Sequence, residues 1–416
     1  MFTSRVRTLN TLPLYAGPRR LWPVRSRAGG RRPARAPSAV CANRARGDAV
    51  IRKKIGLLVS LVVLVTGLAA CGSSKKSSTT SGASPSTSAA GGSVSGAGST
   101  FAAPVYQQWA SSLPGLTVNY QAVGSGAGIT ALESKTVDFG ASDPPLKPAD
   151  EQASARNGSP AVQIPMFLGA ITVSYNLPGV QSGLKLDGKT IADIYLGKVK
   201  SWNDAEIKAL NPGVSLPSTP ITVIHRSDSS GTTAGFTGFL AAVDPEFKSK
   251  VGEGKDVPWP TGTGAKGNAG VAAAVQQTTG AVGYVEQAYA LQHSFTYASV
   301  KNKAGNFVAP SLASTSAAAQ GVTVPANLGI KITNPPGGGS YPITSQTFIV
   351  VNKDLCKAGI PGGAAAAKGV AKFIEYGLSE GQSVLAQADY ASLPASILAK
   401  SKAAASSLRC NSAPVH

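Results

Sequence analysis

The stretch ITVIHRSDSSGTTAGF (221–236) passes through three kinds of structure in sixteen residues. Its first five residues are β-branched and apolar enough to predict a strand over 221–225. Arg226, Ser227, Asp228, Ser229, Ser230 and Gly231 then form a polar turn. From Thr232 the sequence reads as a helix. A strand that delivers a Ser/Thr/Gly turn onto a helix start is the building block of α/β folds. In such folds ligands sit beyond the carboxyl ends of strands.

The same design occurs twice more. Gly96-Ala97-Gly98-Ser99-Thr100-Phe101 precedes a helix expected near Pro104, and Gly124-Ser125-Gly126-Ala127-Gly128 precedes another. Glycine lets backbone approach a ligand closely. The unpaired N–H groups of a helix start favour an anion, and hydroxyls add neutral donors. Each turn alone is equally an ordinary N-cap. Three in one chain, one of them carrying Arg226, point to an oxyanion site with Asp228 orienting the guanidinium. VDFGASDPPL (137–146) sets Asp143 after a short apolar strand and before two prolines. There it either caps its own turn or offers a carboxylate to the site.

On either side of these turns, strands are expected at 117–121, 139–141, 171–175, 221–225, 282–285 and 347–352. Helices are expected to follow Pro104, Gly128, Thr190, Asp204, Thr232, Asn268 and Ala365. The alternation predicts an α/β chain with largely parallel sheets. Other motifs lead nowhere. Gly262-Thr-Gly-Ala-Lys-Gly267 fits GxGxxG, but Pro258 and Pro260 stand where a dinucleotide fold needs a strand. His225, Asp228 and Ser230 are too close in sequence to form a hydrolase triad. No Cys/His spacing suggests a metal, and none of the sequence implies a cofactor.

The net charge of +19 is concentrated at one end. Residues 1–70 carry 14 of the 39 Lys and Arg and one of the 20 acids, leaving an excess of +6 elsewhere. The folded part therefore lacks the basic stripe of a nucleic-acid binder. Arg52, Lys53 and Lys54 precede a 16-residue apolar run, Ile55 to Ala70, which is short for a membrane span and right for a secretory signal. It closes on Leu68-Ala69-Ala70-Cys71, a lipobox pattern that predicts acylation of Cys71 and loss of residues 1–70. Residues 1–50 fit neither a signal nor a domain: either translation begins at Val50 or the signal has a long basic lead. Residues 71–92, rich in Ser, Gly, Thr and Ala, are expected to be a flexible tether. Cys356 and Cys410 remain in the exported part, where a disulfide between them is expected.

Several long, collinear pieces carry a resemblance: GAGSTFAAPVYQQW (96–109), YQAVGSGAGI (120–129), VDFGASDPPL (137–146), LDGKTIADIYLGKVKSWND (186–204), HRSDSSGTT (225–233), GAVGYVEQAYA (280–290) and YPITSQTFIV (341–350). Across residues 93–416 the chain resembles the phosphate-binding proteins of ABC phosphate importers. Ala102 departs from the pattern, standing where the family often has proline. The resemblance implies a two-lobed, type II periplasmic-binding-protein fold with ligand in the inter-lobe cleft. Lobe I would be residues 93–176 and 344–416, and lobe II residues 177–343. It implies no enzymatic activity, and a lipid-anchored protein on the outer face of the cell membrane. Its partners would be inorganic phosphate and the permease subunits, with a cytoplasmic ATPase behind them. It also implies a ligand set: the Thr100 hydroxyl with the Phe101 N–H, Ser125, Asp143 as acceptor of the anion's hydrogen, Arg226 held by Asp228, and Ser230, Gly231 and Thr232.

Overall fold

The structure is a computed structural model that describes residues 92–415. The expected signal, Cys71 and the tether up to residue 91 lie outside the described residues. Gly92, assigned above to the tether, instead opens the first strand.

One mixed sheet organises the chain. Its strands are β1 (Gly92–Gly98), β2 (Leu116–Ala122), β3 (Phe139–Ser142), β4 (Ala161–Tyr175), β5 (Thr222–Arg226), β6 (Thr263–Ala265), β7 (Ala281–Glu286), β8 (Thr296–Tyr297) and β9 (Thr344–Asn352). They lie in the order β2-β1-β3-β9-β4-β7-β5-β6, with β8 also on β4. Both ends of the sheet are parallel, as the alternating strands and helices predict: β1 pairs with β2 and β3, and β5 with β6 and β7. The middle corrects the expectation of largely parallel pairing. There β9 runs antiparallel to β3 and β4, and β7 and β8 run antiparallel to β4.

The antiparallel centre follows from β4, which is shared between two halves. Its residues from Ala161 to Ala170 pair with β9, and those from Ile171 to Tyr175 with β7. Only 171–175 read as strand in the sequence, because Pro165 and Gly169 look like breakers. Pro165 is tolerated because the ladder shifts register there, opposite Thr347 and Phe348. A bulge is where a strand can give up a backbone donor.

Each half has its own aromatic nucleus. In the first, Tyr106 packs edge-on against Tyr120, Phe139, Phe167 and Phe373. In the second, Phe236 stacks on Tyr284, and Trp259 packs against Tyr195 and Tyr284. His225 stacks on Trp259 at 5.2 Å, which gives this histidine a packing role.

Four helices begin where strand ends deliver the chain: α1 (Ala103–Ser111), α2 (Ser125–Glu133), α3 (Gly231–Val243) and α4 (Gly267–Gln277). The fourth is the helix expected from Asn268; no strand is expected before the motif at 262–267, and a short one, β6, lies inside it and pairs parallel with β5. At the far end of the chain Cys356 and Cys410 are joined as a disulfide, 54 residues apart in sequence. Among the described residues no helix is long and apolar enough to cross a membrane.

Candidate functional site

The four helix starts converge on a small polar cluster at the junction of the halves. Strand β1 ends at Gly98, whose φ of +146° and contact with the Ala141 backbone, 2.1 Å from where a Cβ would sit, admit only glycine. The chain then turns through Ser99, Thr100 and Phe101 into α1. Strand β3 ends at Ser142 and presents Asp143. Strand β5 ends at Arg226 and leads through Asp228 and Ser230 into α3.

Arg226 and Asp228 form a two-pronged ion pair: Nε donates to Oδ1 at 2.7 Å and Nη2 to Oδ2 at 2.5 Å. The arginine side chain is 1% exposed. Its Nη1 donates to the Thr232 hydroxyl at 3.3 Å. Asp228 also accepts the Gly267 N–H at 2.9 Å, so the acid ties α4 to the same cluster. Burial pushes its carboxyl up, but the hydrogen bond and charge of Arg226 outweigh that and hold it below the usual range.

Asp143 has different company. Ser99 and Thr347 donate hydroxyls to its Oδ1 at 2.6 and 2.8 Å. Ser125 donates to Oδ2 at the longer distance of 3.3 Å. Burial raises the carboxyl to about 6, against the lowering effect of these hydroxyls and of the Arg226 charge. Gly231 closes over it. A Cβ at that position would lie 2.2 Å from Oδ2 and 2.3 Å from the Ser125 hydroxyl, so only glycine fits. The Ser230 hydroxyl accepts the Thr233 N–H as the N-cap of α3.

The ligand set implied by the resemblance is thus buried at this junction: Thr100, Phe101, Ser125, Asp143, Arg226, Ser230, Gly231 and Thr232, with Asp228 only slightly exposed. The backbone N–H groups of Thr100, Phe101, Ser125, Gly231 and Thr232 donate to no acceptor among the described residues. Buried N–H groups are almost always paired. Five unpaired beside one arginine make a cradle for an acceptor brought from outside the chain. Among the described residues no group of three His, Cys, Asp or Glu could hold a metal.

Several participants were missed. Ser99 reads in the sequence only as a turn residue, although its hydroxyl donates to Asp143. Thr347 lies 204 residues from Asp143 in sequence and meets it only because β9 pairs with β3. Its signal was the resemblance over 341–350. Asn268 bonds both Thr100 and Thr232. It follows the glycine motif that had been set aside.

Residues 83–380 match the family model described as the PBP superfamily domain. A phosphate-binding protein PstS of Haemophilus influenzae is 43% identical over 316 residues, 74% of this chain and 91% of that protein. One from Methanocaldococcus jannaschii is 35% identical over 368 residues, 81% of this chain and 90% of that protein. The solved phosphate-binding protein from Stenotrophomonas maltophilia shares the fold, with a TM-score of 0.59 at 20% identity, over 75% of this chain and 93% of that one. The fold is the two-lobed periplasmic-binding type.

Proposed function

We propose that this chain, which belongs to the PBP superfamily and within it to the family of phosphate-binding proteins, captures inorganic phosphate outside the cytoplasm and delivers it to an ABC permease for import. The observation that carries this is the set of five buried, unpaired N–H groups around Arg226. Three helix starts and one guanidinium suit a dehydrated, compact dianion. Neutral donors hold it without the excess charge that would prevent release. The chain is a receptor and not an enzyme.

In this reading Thr100 and Phe101 donate from the first turn and Ser125 from the second. Ser230, Gly231 and Thr232 donate from the third, and Arg226 adds charge-assisted bonds. Asp143 accepts the hydrogen that phosphate retains near neutral pH. Lobe I comprises residues 93–176 and 344–416 and lobe II residues 177–343, with strand β4 and the segment entering β9 as the two crossings. Closure about them buries the anion. Cys71, diacylated after loss of residues 1–70, anchors the protein to the membrane near the permease and its ATPase.

Calorimetric titration of the purified full chain, stripped of endogenous phosphate, tests the binding. One phosphate per chain is expected, with no heat from sulfate at the same concentration. A folded, stripped protein that ignores phosphate overturns the proposal. Intact mass of the membrane-extracted protein tests the anchor: the expected species begins at Cys71 and carries acyl chains, and an unmodified chain would refute it.

A further inference from the structure

Asn268 is fully buried at the start of α4 and touches both halves of the cluster. Its amide orientation is fixed, because Oδ1 accepts the Glu286 N–H at 3.3 Å. The NH₂ group therefore faces the site. It donates to the Thr100 hydroxyl at 3.1 Å and to the Thr232 hydroxyl at 3.2 Å. The Asn268 backbone N–H adds a second bond to the Thr100 hydroxyl at 3.3 Å.

A hydroxyl has one hydrogen and two lone pairs. Both lone pairs of Thr100 Oγ1 are taken by Asn268, one by its side chain and one by its backbone. Both lone pairs of Thr232 Oγ1 are taken as well, one by Asn268 and the other by Arg226 Nη1 at 3.3 Å. Neither hydroxyl donates to a protein acceptor among the described residues. Each keeps one hydrogen, and that hydrogen has to point away from the N–H groups that surround the oxygen.

We infer that Asn268 is a positioning residue that makes Thr100 and Thr232 obligate donors, one from each side of the anion. The inference rests on the phosphate reading above and deepens it. A free threonine hydroxyl can rotate and accept; these two cannot. A hydrogen carried by the anion therefore finds no acceptor at Thr100 or Thr232. It is directed to Asp143, whose Oδ2 holds only the long bond from Ser125. The two threonines thus hold the oxygens that carry no hydrogen. The amide links the donor set to α4, so the closed arrangement of the two halves and the direction of the two hydrogens are fixed together.

The test is phosphate calorimetry on the stripped full chain and its variants. Asn268→Ala frees one lone pair on each hydroxyl, the other staying with the backbone N–H of residue 268 at Thr100 and with Arg226 at Thr232, and rotation of the hydroxyls is expected to weaken phosphate binding about tenfold. Asn268→Asp keeps the shape but replaces the NH₂ with an acceptor, which turns both hydroxyl hydrogens from the anion. A loss of about a hundredfold or more is expected, two donor bonds at roughly tenfold each.

A residue that merely shapes the site, or an added charge that merely repels, costs the same in every background. Thr100→Val with Thr232→Val removes the hydroxyls through which Asn268 is inferred to act. In that double variant Asn268→Ala should change phosphate affinity less than about twofold. Melting of the unliganded variants checks the fold, and if Asn268→Asp fails to fold, the alanine cycle still decides. If the parent does not bind phosphate, the functional reading fails. If the parent binds but the effects of Asn268→Ala simply add to those of the threonine changes, the inference alone is overturned.

Discussion

Asp143 and Asp228 bring the same functional group to one cluster, from the ends of β3 and β5. Asp143 is met by the hydroxyls of Ser99, Thr347 and Ser125, and burial lifts its carboxyl to about 6. Asp228 is clamped by Arg226 and by the Gly267 N–H, and is held below the usual carboxylate range. Hydroxyls are neutral and can turn, so they soften the cost of a buried charge without cancelling it. A guanidinium cancels it. Asp228 is therefore occupied and serves the arginine, while Asp143 keeps an oxygen that holds only the long bond from Ser125, and an affinity for hydrogen. A small anion between them meets a fixed cation on one side and a proton acceptor on the other.

The largest effect expected from breaking this contrast is on anion choice. Phosphate and sulfate match in size and shape, but only phosphate retains a hydrogen near neutral pH. An ionised carboxylate is acceptor-only, so it gains a bond from phosphate and repels sulfate. Asp143→Asn keeps the shape, removes the charge and adds a donor. Sulfate affinity should rise by about a hundredfold or more, on the scale of one unmade buried contact to a charge, while phosphate affinity changes by a modest factor. Titration of both proteins with both anions checks it. Unchanged exclusion of sulfate would mean that Asp143 only shapes the turn before Pro144.

Asp143 was legible in the sequence, and its partners show why the rest was not. The three strand–turn–helix segments announced themselves because strand, glycine and hydroxyl are contiguous there. Thr347 reaches Asp143 through antiparallel pairing of β9 with β3, and sequence distance hides such a pairing. The central antiparallel strands were hidden likewise: Pro165 and Gly169 break the pattern of β4, yet Gly169 is needed there because a Cβ would lie 2.6 Å from Phe101. A helix is expected from Asn268, but the glycine motif just before it reads as no ligand turn because Pro258 and Pro260 precede it. A three-residue strand is too short to leave a period, although it is long enough to aim a helix start.

The second effect is on stability, and its sign separates the two acids. In the unliganded protein the Asp143 carboxyl has its folded value raised from an ordinary 3.8 to about 6. Between these values the folded state holds more protons than the unfolded chain, so stability falls as pH rises from about 4 to 6 and is then level. The full penalty is about 2–3 kcal/mol. Asp228, whose value is lowered, has the opposite sign: its contribution is present above the unfolded value and is lost as pH falls through the folded one. Denaturant unfolding of the parent and of Asp143→Asn from pH 4 to 7 isolates the first contribution. The difference between them should shift in favour of the variant as pH rises to 6. A difference that is flat with pH would show that the hydroxyl shell stabilises the charge as fully as a cation does.

The smallest effect should come from Asp228→Asn, because two consequences oppose each other. The amide can still accept from Arg226 and from Gly267, but the charge that steadied the guanidinium is gone, which loosens the arginine and weakens its bonds to an anion. The same change removes a negative charge close to that anion, which strengthens its attraction to the site. Arg226 remains buried and keeps its contact with Thr232, so the loosening is limited. Phosphate affinity is expected to move by less than about fivefold, against the hundredfold change in sulfate affinity argued for Asp143→Asn. The net charge of the site rises by one, so the affinity should become more sensitive to ionic strength. Sulfate should stay excluded, because the acceptor that rejects it is untouched. Titrations with phosphate and sulfate at two salt concentrations check all three points. Should Asp228→Asn admit sulfate as readily as Asp143→Asn does, the division of labour between the two acids would be wrong, and anion choice would reside in the summed charge of the cluster.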